Sequence, residues 1–137
     1  MRTTDLTLED MKAAASAIPG DAPVFMLNLL RYKERAEYDG GAVLAPCSGR
    51  EAYHQRYRPA FGRVAEGAGV KVAWLGGVLA KLVAPTGELW DDVAIVEYPS
   101  FAAFRRVVDN PRYEAEAAPH RKAALEDWRL IAMAKML

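Results

Sequence analysis

Cysteine is nearly absent: Cys47 is the one thiol in 137 residues. A single thiol cannot close an internal disulfide, so the fold does not rest on oxidation. An excess of one charge is missing too, since 18 Lys and Arg balance 18 Asp and Glu. A nucleic-acid binder needs a basic excess or stripe to meet phosphates. Here basic residues alternate with acids, as in Arg31-Tyr32-Lys33-Glu34-Arg35. The expected partners therefore include no nucleic acid and no membrane. Long apolar runs are also lacking. The longest, Val70 to Ala84, is interrupted by Lys71 and Lys81 and is too short and too charged to cross a bilayer. Met1 to Asp10 has no apolar stretch and does not read as a signal peptide, so a cytoplasmic location is expected. Histidine is scarce: His54 and His120 have no acidic or cysteine partner at ligand spacing, and no metal is expected. No glycine-rich phosphate loop is present, because Gly67-Ala68-Gly69 precedes a strand, the wrong order for a dinucleotide fingerprint.

What is present is a hydrophobic content of 52%, enough for one core and one domain. A helix is expected from Thr7, with Leu8, Met11, Ala15 and Ile18 at helical spacing and Pro19-Gly20 as its stop. Val24 to Arg31 reads as a buried strand. Residues 33–47 form a long loop, of a kind that is often functional or mobile. Ser48 and Glu51 form a capping box that opens a helix at Gly49. Pro59 should bend that helix, and Gly67 to Gly69 should end it. Lys71 to Val83 reads as a strand, with Gly76-Gly77 as a bulge or close approach. Asp92 to Tyr98 is a third strand. Ser100 starts a helix, Asn110-Pro111 restarts it, Pro119 breaks it, and Trp128 to Met136 is the last strand.

The order is an extra N-terminal helix followed by βαββαβ, the split βαβ or ferredoxin-like pattern of the α+β class. Residues 1–22 then form a helical extension, and residues 23–137 the domain proper. The expected sheet is four-stranded and antiparallel, in the order 4-1-3-2, with both main helices on one face. Both parities of the third strand are apolar, Val93 and Ile95 on one and Ala94 and Val96 on the other. A sheet apolar on both faces with helices for only one needs a second cover. Another copy of the chain is the expected partner.

The stretch Trp90-Asp91-Asp92-Val93-Ala94-Ile95-Val96-Glu97-Tyr98-Pro99-Ser100 resembles the signature of the bacterial family known as domain of unknown function 1330. The resemblance continues through Phe104, Asn110-Pro111-Arg112-Tyr113 and His120 to Asp127, and includes Met26 to Leu30 and Ser48 to Tyr53. It spans roughly residues 24 to 135. Arg112 departs from it, since the family often has an acid there. The resemblance implies a dimeric α/β barrel, two sheets facing one another across a two-fold axis. The wider superfamily holds cofactor-independent monooxygenases, lactone isomerases and haem-handling proteins.

Six residues are candidates for a ligand site. Asn28 interrupts an apolar strand, and a buried amide must be hydrogen-bonded; it either pairs with a neighbouring loop or faces a ligand. Glu97 ends an apolar strand and is a candidate base, or else a salt-bridge partner of Arg121. His120 beside Arg121 should be held neutral by the like charge, giving a base next to a carboxylate anchor, or else a surface pair at a kink. Tyr53 and Tyr57, one turn apart and with Trp74 available, form either core or an aromatic pocket wall. His54 is expected on the opposite side from Tyr57 and exposed, and Cys47 reads as an inert thiol. At least three of the six should line one cavity between helices and sheet. The functional expectation is a small-molecule-handling homodimer, a cofactor-independent enzyme on a small organic acid or aromatic with Glu97 or His120 as catalytic base. The alternatives are a non-catalytic ligand-binding or structural homodimer, and a haem protein with His54 or His120 as axial ligand.

Overall fold

The computed structural model describes residues 2–40 and 44–137. Four strands, β1 (Val24–Tyr32), β2 (Lys71–Gly77), β3 (Asp92–Tyr98) and β4 (Leu125–Met133), form one antiparallel sheet in the order β2-β3-β1-β4. This is the expected ferredoxin-like order. The helices are α1 (Leu8–Ala17), α2 (Gly49–Glu51), α3 (Arg58–Val64), α4 (Phe101–Val108) and α5 (Ala118–Ala124).

Most of the expected boundaries hold because their chemistry is local. The Thr7 hydroxyl accepts from the Asp10 amide at 3.1 Å and opens α1. Ser48 and Glu51 exchange the two capping-box bonds, each at 3.0 Å. Gly49 sits where a Cβ would strike the carbonyls of Lys33 and Ala124, so only glycine lets the start of α2 meet the ends of β1 and α5.

The break expected at Pro119 is absent: it and Pro59 both sit within continuous helices. Each is preceded by a π segment, Ala52–Tyr57 and Tyr113–Ala117, that runs on into α3 and α5. The amides of Arg58 and Ala118 reach back five residues, to the carbonyls of Tyr53 and Tyr113. A proline ring clashes with the carbonyl four residues before it and offers no amide. Widening the turn relieves that clash and keeps the rod intact.

Two strand boundaries also shift. β2 stops at Gly77 instead of Val83, and β4 begins at Leu125 and ends at Met133. The irregularity in β2 lies between Val72 and Trp74 rather than at the glycines. Gly76 instead lies under the Trp74 ring, where a Cβ would collide with it.

The register divides the sheet cleanly. Val24, Met26, Asn28 and Leu30 of β1 are buried under the helices, with Asp92, Ala94 and Tyr98 of β3. Phe25, Leu27 and Leu29 pair with Glu97, Ile95 and Val93 on the helix-free face and are only half-buried. Two hydrophobic clusters fill the helix side. One joins Leu30, Tyr53, Tyr57, Tyr113 and Trp128; the other joins Met11, Met26, Tyr98, Phe101 and Phe104. The N-terminal segment is stitched to β4: the Trp128 amide donates to the Thr3 carbonyl at 2.8 Å, and the Thr3 amide to Asp127 Oδ1 at 2.9 Å. Among the described residues no helix is long and apolar enough to cross a membrane.

Candidate functional site

Between the helices and the sheet lies a cavity of about 770 Å³ that opens to solvent. Its floor is the helix side of β1, β3 and β4, with Met26, Asn28, Ala94, Trp128 and Leu130. Its roof is the first long helix. Residues 53, 54, 57 and 58 all line it, because residues three and four apart lie on adjoining faces of a helix. The ring centroids of Tyr53 and Tyr57 are 5.0 Å apart, and those of Tyr57 and Tyr113 6.4 Å, forming one aromatic wall.

Three of the six expected residues, Asn28, Tyr53 and Tyr57, share this cavity, and the other three do not line it. Glu97 pairs with Phe25 across the sheet and so projects from the helix-free face, opposite Asn28. The parity of β3 decides this: Glu97 is an odd number of positions from Ala94. Arg121 is buried behind Trp128, its guanidinium 4.7 Å from the ring centroid and its Nη1 donating to the Thr4 carbonyl at 3.0 Å. Its Nε is buried without a partner among the described residues. The expected Glu97–Arg121 salt bridge is therefore absent among the described residues, the two side chains being on different sides of the sheet. His120 takes part in another cluster, its Nδ1 2.8 Å from the Tyr38 hydroxyl. Burial and the charges of Arg56 and Arg63 hold its pKa below the ordinary value, so the expected direction is right but Arg121 is not the cause. Trp74, thought available to the wall, pairs with Ile95 and lies on the other face; Trp128 takes its place.

Asn28 has a structural task. Its Oδ1 accepts from Trp128 Nε1 at 3.0 Å, and its Nδ2 donates to the Met26 carbonyl at 3.2 Å. An indole N–H at the floor of an apolar cavity needs an acceptor, and Asn28 supplies it.

His54 overturns its expectation. It is neither exposed nor opposite Tyr57: its side chain is 22% accessible, and it lines the cavity. Its Nε2 lies 2.8 Å from Asp92 Oδ2. Asp92 is buried at the first position of β3, and the same oxygen accepts from the Tyr32 hydroxyl at 2.6 Å and from Arg50 Nη1 at 2.9 Å. Burial alone would raise the Asp92 pKa; the bonds from Tyr32 and His54 and the charge of Arg50 outweigh it and hold the carboxyl below its ordinary value. Asp92 is thus an ionised acceptor, and Nε2 of His54 carries the proton. On the other side of the ring Arg58 Nη1 approaches Nδ1 at 3.4 Å. A guanidinium only donates, so Nδ1 can meet it only as an acceptor. The result is an imidazole oriented through Nε2 by an aspartate, on a residue that lines the cavity, with Nδ1 turned to Arg58. Tyr32, Arg50, Asp92 and Arg58 carried no signal as single letters. An acid opening an apolar strand was the available clue to Asp92. Among the described residues no group of three or more metal-ligating side chains forms a cluster.

A protein of unknown function from Rhodopseudomonas palustris, RPA0582, shares 38% identity with this chain, which covers 99% of its length; the TM-score is 0.86. This chain belongs to the RPA0582 family. The methylated form of RPA0582 matches at 38% identity over 99% of this chain and 96% of that one, with a TM-score of 0.82. A Dabb family protein of ferredoxin-like fold from Mesorhizobium loti shares 12% identity over 83% of this chain and 97% of that one, at a TM-score of 0.47. No family model matches the chain, and no curated protein does.

Proposed function

We propose that this chain binds an apolar small molecule between its helices and sheet and moves a proton on it, with His54 as base. The observation that carries this reading is the His54 ring at the cavity, fixed through Nε2 by a buried, ionised Asp92, with Nδ1 left to accept. A base held in one tautomer by a carboxylate is primed to accept a proton, because the resulting imidazolium is stabilised by the charge behind it. In the step, a C–H bond beside a carbonyl breaks and the proton moves to Nδ1. The electron pair passes to the carbonyl oxygen as an enolate, and returning the proton restores the catalyst. His54 replaces the sequence candidates Glu97 and His120, neither of which lines the cavity. The test is deuterium exchange at the α-carbon of 2-tetralone in D₂O, followed by proton NMR. Exchange above background that disappears in His54→Gln supports the base; exchange unchanged by that substitution removes it.

The resemblance to the domain of unknown function 1330 family supports a homodimer through the helix-free face. That face carries Phe25, Leu27, Leu29, Val93 and Ile95, and Trp74 at its edge is 54% exposed. Apolar patches of this kind mark interfaces. Burial of more than about 1,000 Å² in total is expected, and light scattering that returns a 15.1 kDa monomer at micromolar concentration argues against it. The single thiol, half-buried against the first cluster, suits a reducing cytoplasm.

A further inference from the structure

The cavity is lined by four phenols, and they are not equivalent. The hydroxyls of Tyr57 and Tyr113 are bonded to one another at 3.0 Å. Those of Tyr53 and Tyr98 have no hydrogen-bond partner among the described residues, although both side chains are more than nine-tenths buried, at 7% and 4% residual exposure. An unpaired buried hydroxyl is costly, and native structures avoid it. Among the described residues the only side-chain polar atom both sealed and unpaired is Arg121 Nε. The two free hydroxyls therefore open onto accessible space, and the space both residues line is the cavity. Burial raises the pKa of both phenols, which keeps them protonated and makes them donors rather than bases. Around them the lining is aromatic and aliphatic, with Phe61, Phe104, Val96 and Leu130.

We propose that Tyr53 and Tyr98 are binding residues for the carbonyl oxygen of a ring-bearing ketone, and that this is the ligand class of the cavity. A chamber of apolar walls with unpaired O–H donors selects a molecule that offers oxygen acceptors and little other polarity. A carboxylate would turn to Arg58, which also lines the cavity, and not to the phenols, which carry no charge. The aromatic walls favour a flat, fused ring over a flexible chain. Tyr53 also stands beside the base, with ring centroids 5.4 Å from His54. A carbonyl held by Tyr53 brings its α-carbon towards Nδ1, and the same O–H then receives the charge that develops on oxygen. The ligand class rests on the reading of the cavity as a small-molecule site, but the donor role stands apart from the base.

The probes are 1-tetralone and tetralin, which share a fused-ring skeleton and differ in the carbonyl. Binding is read by quenching of Trp128 fluorescence in a Trp74→Phe, Trp90→Phe background, and by calorimetry on the unmodified chain. The ketone is expected to bind at least about tenfold more tightly than the hydrocarbon, because the hydrocarbon leaves the hydroxyls unpaired. In Tyr53→Phe with Tyr98→Phe that ratio should fall close to one. The infrared carbonyl stretch of bound 1-tetralone should lie at lower frequency in the parent and return upward in the double variant. Equal affinity for the two probes in the parent chain overturns the proposal with no variant needed. A ratio unmoved by the double substitution also overturns it. Selective ketone binding with no His54-dependent exchange leaves these donors standing and removes only the base. His54-dependent exchange with no ketone preference does the reverse.

Discussion

Both long helices of this fold carry a histidine near a proline-imposed π segment, and both histidines bond a tyrosine. His54 meets Tyr32 at 2.9 Å, and His120 meets Tyr38 at 2.8 Å. Behind His54 stands the buried Asp92; around His120 stand Arg56 and Arg63. The first ring is oriented by an anion and reaches the cavity. The second is surrounded by cations and holds down the long loop, where Arg56 Nη1 donates to the Tyr38 hydroxyl at 3.2 Å and Nη2 to the Ala45 carbonyl at 2.6 Å. The same residue pair on the same kind of helix thus becomes a candidate base in one place and a fastening in the other. The charge placed behind it makes the difference.

The comparison is broken most severely at Asp92. Asp92→Ala leaves Tyr32 and His54 without their shared acceptor and should cost about 3 kcal/mol, read from urea unfolding. A loss no larger than that of Tyr38→Phe would mean that the two clusters are equivalent. The next largest effect is expected at the cavity floor. Asn28→Ala strands the Trp128 indole N–H and should cost about 2 kcal/mol, while Asn28→Ala combined with Trp128→Phe should cost less than the sum of the two single changes. Strict additivity would show that the 3.0 Å bond between them carries nothing.

Acid sharpens the contrast between the two histidine sites. The folded Asp92 carboxyl lies below its ordinary value, so its stabilisation is complete above the unfolded value of about 3.9 and is lost as pH falls through the folded one. The stability gap between the parent chain and Asp92→Asn should therefore be constant near neutrality and close only in strong acid. His120 acts at higher pH. Its folded pKa is lowered, so the unfolded chain takes up the proton first, and stability falls as pH drops below about 6.5. Midpoints measured at pH 7.5 and 5.5 should differ more for the parent than for His120→Gln. An equal difference would remove His120 from the pH response. The smallest effect belongs to Tyr38→Phe, expected below about 1 kcal/mol because its neighbours remain partly solvated.

Much of the fold was legible because its signals are local. The Ser48–Glu51 capping box, the Asn110-Pro111 restart and the β-branched run of β3 each act over a few residues, and the element order then leaves few topologies. The apolar parity of β3 also showed that both sheet faces are hydrophobic. The failures have a common physical origin. The effect of Pro59 and Pro119 depended on whether packing could hold a widened turn, and both helices run on through it. The β2 strand ends where its partner β3 runs out, at the Gly77–Asp92 pair, and nothing in Val78 to Val83 itself marks that end.

The site was legible only in its apolar half. Composition and helical spacing were enough to place Tyr53 and Tyr57 on one wall and Asn28 at a costly position in a strand. Strand parity was needed to send Glu97 to the far face and Trp74 with it. The union of Tyr32, Arg50, His54 and Asp92 came from tertiary structure alone. Residues 32 and 92 meet only because β1 and β3 are antiparallel neighbours in one register, and residues 50 and 54 reach them only when the first helix crosses that end of the sheet. A one-residue slip would have turned Asp92 to the opposite face. Charge and hydrogen-bonding capacity belong to the residues; which of them share a low-dielectric space is set by long-range packing, and that is what makes a candidate base of one histidine and a fastening of the other.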